Sequence, residues 1–151
     1  MGYIGNLNLQ NQGGNINVLN NGYVGNTNSN NRGGGTTNIQ NNGTMSNLNS
    51  DTRVAHTNIA NNGFINNLRA LDQNDDTNIF NAGRVNNANL TANGARGLIN
   101  FQNMGSVGNM NANSNYGGQI NINNMFGAIG QMNANTSGWS HGQQSRINIL
   151  S

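Results

Sequence analysis

Thr37-Asn38-Ile39-Gln40-Asn41-Asn42-Gly43-Thr44-Met45-Ser46-Asn47 reads as two short runs of alternating side chains hinged at a glycine. Before Gly43, Thr37 and Ile39 share one face while Asn38 and Gln40 share the other; after it, Met45 and Asn47 continue the alternation. A period of two is that of a β-strand. The amide pair leading into the glycine is turn chemistry, because Asn and Gly both tolerate positive φ.

The phrase recurs along the whole chain. Its glycines are Gly2, Gly22, Gly43, Gly63, Gly83, Gly105 and Gly127, spaced by 20, 21, 20, 20, 22 and 22 residues. Two places after them stand Ile4, Val24, Met45, Ile65, Val85, Val107 and Ile129. Four places after them stand Asn6, Asn26, Asn47, Asn67, Asn87 and Asn109, with Gln131 last. Upstream, an Asn-apolar pair repeats as Asn17-Val18, Asn38-Ile39, Asn58-Ile59, Asn78-Ile79, Asn100-Phe101, Asn121-Ile122 and Asn148-Ile149.

A fixed period near 20 residues marks a unit that buries its apolar face only by stacking on copies of itself. The spacing predicts an all-β chain, a single β-solenoid domain over residues 1–151. It would have about seven rungs of 20–22 residues, each strand, tight arc, strand and loose arc, stacked in cross-β fashion. Loose arcs are expected at residues 29–35 and 71–76, and an enlarged one at residues 135–146. The inward columns are Val18, Ile39, Ile59, Ile79, Phe101 and Ile122, and Val24, Met45, Ile65, Val85, Val107 and Ile129. The Asn positions align as ladders in which each amide donates to one rung and accepts from the other, offsetting the cost of unpaired polar groups.

Composition fits that reading. There are 40 Asn and 22 Gly, with no Pro, Cys, Lys or Glu, and only 30 Ile, Leu, Val and Phe. An ordinary globular core would be thin, yet a net charge of +2 is too small for the usual charge-rich disordered chain. Six scattered Arg make no nucleic-acid stripe. No apolar run approaches a membrane helix, so neither nucleic acid nor membrane insertion is expected. The first residues carry no charged-then-apolar secretory signal, so a signal already removed or another route of release is expected.

The ends share the phase of the repeat. Gly2-Tyr3-Ile4-Gly5-Asn6 matches Gly22-Tyr23-Val24-Gly25-Asn26, and the chain closes on Ile147-Asn148-Ile149, the first half of a rung. A second copy placed after Ser151 keeps the register, its Met1 falling where Met104 and Met125 stand in earlier rungs. Solenoids normally end in polar caps, and open strand edges attract further strands. The expectation is a head-to-tail contact that does not close and so builds a filament. Its junction would be Gly2, Ile4, Asn6, Ile147, Asn148 and Ile149 from the two half-rungs.

The segment Ile39-Gln40-Asn41-Asn42-Gly43-Thr44-Met45-Ser46-Asn47 resembles the curlin repeats of bacterial functional amyloid. Here Asn replaces the Gln those repeats favour before the glycine. The resemblance implies a secreted structural fibre of stacked rungs, as in a biofilm matrix, whose partner is itself and whose surroundings include matrix polysaccharide.

Other motifs read more plainly. Gly33-Gly34-Gly35-Thr36-Thr37 lacks the Lys of a phosphate loop and serves as an arc. His56 and His141 stand far apart in sequence without the ligands of a metal site, so no metal or other cofactor is expected. Asp72, Asp75 and Asp76 read as a solvated turn rather than a calcium loop. No nucleophile, base and acid set is specified, so no catalytic residues and no enzyme are expected. The competing readings are a monomeric binding solenoid, either a carbohydrate adhesin or an ice-binding protein, and a prion-like Asn-rich tract.

Overall fold

The computed structural model describes residues 2–151; Met1, which the phase argument placed at the junction, lies outside them. The described chain has no helix. It winds through seven coils, each pairing a strand of one sheet with a strand of a second. They are β1 (Tyr3–Asn11) with β2 (Asn15–Asn20), β3 (Tyr23–Arg32) with β4 (Thr36–Asn41), and β5 (Thr44–Arg53) with β6 (His56–Asn61). Next come β7 (Phe64–Gln73) with β8 (Asp76–Asn81), β9 (Arg84–Asn93) with β10 (Leu98–Asn103), and β11 (Ser106–Asn115) with β12 (Gln119–Asn124). The seventh coil is β13 (Ala128–Ser137), a small hairpin of β14 (Trp139–Ser140) and β15 (Gln143–Gln144), and β16 (Arg146–Leu150).

All stacking is parallel and in register, so each repeat position becomes a column: Ile4 lies on Val24, Val24 on Met45, and Val18 on Ile39. The predicted β-solenoid is the fold. Six steps of roughly 4.8 Å make a stack about 29 Å tall. Both aliphatic columns point inward, and Val24, Met45, Ile65, Val85 and Phe101 are buried. The Thr37, Thr57 and Thr77 column is buried too. It therefore offers no outward threonine array of the kind ice binding would use.

Three expectations are corrected. The strands of the first sheet run through most of what read as loose arc, to Arg32 and Gln73, because Ser29, Asn31, Ala70 and Asp72 continue the inward alternation. The repeat glycines are not at positive φ, which is found instead at glycines such as Gly33, Gly34 and Gly35. Their reason is close approach: a Cβ on Gly43, Gly63, Gly83 or Gly105 would strike the carbonyl oxygen of the repeat glycine one coil earlier. Asp72, read as part of a solvated turn, is buried inside the solenoid. Its Oδ2 accepts from the Thr77 hydroxyl at 2.8 Å and its Oδ1 from the Asp75 N–H at 3.0 Å. Burial pushes this carboxyl up to about 7, against the lowering by those hydrogen bonds.

Candidate functional site, the two end faces

The site is built from columns that stop. In the second sheet the outward ladder is continuous over all seven coils: Asn38 donates to Asn17 at 2.8 Å, and the series runs on through Asn58, Asn78, Asn100 and Asn121 to Asn148. In the first sheet Asn26, Asn47, Asn67, Asn87 and Asn109 each donate to the coil before, beginning at Asn6. Both predicted ladders therefore form. A further outward ladder, Asn8-Asn28-Asn49, stops where Arg69 takes the column, then resumes at Asn89-Asn111-Asn133.

The sequence reading missed the ladder with the most bonds per residue. Asn20, Asn41, Asn61, Asn81, Asn103 and Asn124 stand inside the tight-turn corner, joined by five amide–amide bonds of 2.7–2.8 Å. Each of the first five also donates to a main-chain carbonyl of the next coil, as Asn20 does to Thr44 O at 3.1 Å. Asn20 Oδ1 accepts the Gly22 N–H, so main-chain groups fix which amide atom points where. This inner ladder donates toward later coils, whereas the outer ones donate toward earlier coils. Its signal in sequence was the Asn two places before Gly22, Gly43, Gly63, Gly83 and Gly105 and three before Gly127, which a turn explains equally well.

The predicted junction residues fall at opposite ends of the stack and in different sheets. Ile4 and Asn6 lie on β1, Gly2 just before it, and Ile147, Asn148 and Ile149 on β16. Ile4 is 47% exposed and Ile149 50%, whereas Val24, next in the Ile4 column, is 2% exposed. Where the sequence phase counts half-rungs, both terminal coils have both strands. A second copy continuing the register would therefore lay β1 on β13 and β2 on β16, with Ile4 over Ile129 and Val18 over Ile149. Leu7 over Met132, Leu9 over Ala134 and Ile16 over Ile147 complete five apolar columns. Asn17 would meet Asn148. Ile129 and Val18, predicted as core, belong to this interface as well.

The hairpin of the seventh coil leaves that face clear. It turns back over earlier loose arcs, with the Gly117 N–H donating to Ser145 Oγ at 3.0 Å and His141 and Gln143 reaching the neighbourhood of Val54 and Arg96. The loose-arc edge also gathers charges that sequence distance hid: His56 Nδ1 lies 3.2 Å from Asp75 and 4.0 Å from Asp76. One repeat separates these residues, and His56 shares its column with Asp76. Arg32 and Arg53 share a column and flank Asp51 at 3.8 and 3.5 Å. Tyr3 and Tyr23 stack with centroids 5.1 Å apart and planes 5° from parallel.

The chain matches no family profile, no curated protein and no solved structure.

Proposed function

We propose that the protein is the structural subunit of an extracellular, functional-amyloid-like filament that grows head to tail. The observation that carries the proposal is the fit of the two end faces: five apolar columns and the Asn17–Asn148 ladder continue from β13 and β16 onto β1 and β2 of a next copy. Each addition would bury the half-exposed Ile4 and Ile149, pair open main-chain edges, and lengthen the outer ladders. The absence of Pro and the sparse charge favour it. The likeness to curlin repeats supports a fibre outside the cell.

Ile149→Lys tests the junction. Ile149 is half exposed in one subunit, so the variant should fold, with a β-rich circular dichroism spectrum matching wild type. In a filament that ammonium would be buried against Val18 without a partner. The expected result is subunits that stay single and that halt growth at one end when added to wild-type seeds. Filaments of normal length from the variant would sink the proposal.

A further inference from the structure

We infer that the loose-arc edge holds a second site, a groove that binds a neutral oligosaccharide. The groove exists because the seventh coil departs from the repeat. Its hairpin folds back over the arcs and borders two open, adjoining depressions of about 460 and 540 Å³, both lined by Asn74, Arg96 and Gln143. These volumes lie in the range of small-molecule sites.

Backbone strain converges on the same edge. The described non-glycine residues at positive φ are Val54, Asn74, Tyr116 and His141, and all four stand in the loose arcs or the hairpin. Val54 is β-branched, for which this conformation is a genuine outlier. Strain of this kind persists where surrounding structure enforces it, and it clusters at ligand clamps.

The chemistry of the rim selects the ligand. Among the described residues the side chains of Asn74, Arg96, Gln119 and Gln143 make no hydrogen bond within the protein, so their donors and acceptors are free for a ligand. Arg96 offers only donors, Asp75 and Asp76 only acceptors, and the amides both. An anion would meet the two carboxylates and a cation would meet Arg96. Vicinal hydroxyls, each able to donate and accept, satisfy such a mixed rim, while Val54, Ala95 and Leu98 present an apolar surface to C–H faces. The site needs one subunit only, so it is independent of polymerisation.

The test is titration of wild-type protein with cello-, xylo-, manno-, malto- and chitohexaose, with an oligogalacturonate as the acidic control. Trp139, the single tryptophan, lies on the same hairpin and reports by fluorescence, with calorimetry as the second readout. At least one neutral hexasaccharide should bind with a sub-millimolar Kd, and Arg96→Ala and Asp75→Asn should each weaken it tenfold or more without lowering the melting temperature. No binding at millimolar sugar, binding untouched by both substitutions, or binding of the oligogalacturonate alone would each overturn the proposal.

Discussion

The two inner corners of the solenoid solve the same problem in opposite ways. At the tight turn, six coils place Asn at one position, and the same bonds recur at every step from Asn20 to Asn124. At the loose-arc corner the equivalent column reads Asn11, Asn31, Thr52, Asp72, Ala92 and Ser114, and almost every coil closes differently. Asn11 bonds its own arc, Asn31 donates to the His56 carbonyl of the next coil, Thr52 bonds Thr57, Asp72 bonds Thr77, and Ser114 bonds Gly118. Nearby Thr27, Ser29, Thr37 and Ser50 keep buried hydroxyls with no protein partner. The contrast teaches where repetition is enforced. An amide ladder works only if the next coil supplies the same amide, so the tight corner is held to one residue type. The loose corner finds main-chain and hydroxyl partners either within the coil or on the next one, needs no matching side chain there, and is free to vary, which is where Asp72 and the groove arise.

The largest expected effect breaks the loose corner. The Asp72 carboxyl is raised from 3.8 to about 7 in the folded chain, so its contribution to stability is fully present below about pH 4 and is lost as pH rises through 7. That loss amounts to on the order of 4 kcal/mol at its limit. Asp72→Asn should flatten the pH dependence of urea unfolding and be more stable than wild type at pH 8. An unchanged slope between pH 4 and 8 would show that Asp72 does not titrate in this range.

A comparable blow falls on the tight corner. Asn61→Ala removes bonds to Asn81 and to the Arg84 carbonyl and strands the Asn41 amide, costing about 3 kcal/mol. Chemical denaturation of single subunits, on the Ile149→Lys background, measures this without interference from assembly. The smallest effect sharpens the contrast from outside. Asn58 bridges Asn38 and Asn78 on the outer face, where water replaces lost partners, so Asn58→Ala should cost about 1 kcal/mol or less. Equal losses at Asn58 and Asn61 would mean that burial does not distinguish inner from outer ladders.

Much of this fold was legible because its columns are written in single residue types. Gly43 and its equivalents, the aliphatic residue two places on and the Asn-apolar pairs locate both sheets, their register and two of the outer ladders. What was hidden depends on the direction of the arcs. Asn41 shares the inward parity of Thr37 and Ile39, but an Asn before Gly43 also reads as a turn residue, and it is the strand running on to Asn41 that keeps it inward. Asp72 reads as one of three acids in a turn until β7 is seen to run past Leu71, carrying it into the interior. The enlarged arc at residues 135–146 is legible in the repeat, but its backward direction is not, so the placing of Gln143 beside the groove that Arg96 lines could not be read from spacing.

The claim that one coil face continues onto another is tested most directly by electron cryo-microscopy of the purified protein left in plain buffer. The account predicts unbranched filaments with a layer line near 4.8 Å and a map in which β1 of one subunit continues the sheet after β13 of the next. Single subunits only, with a β-rich circular dichroism spectrum, would contradict it.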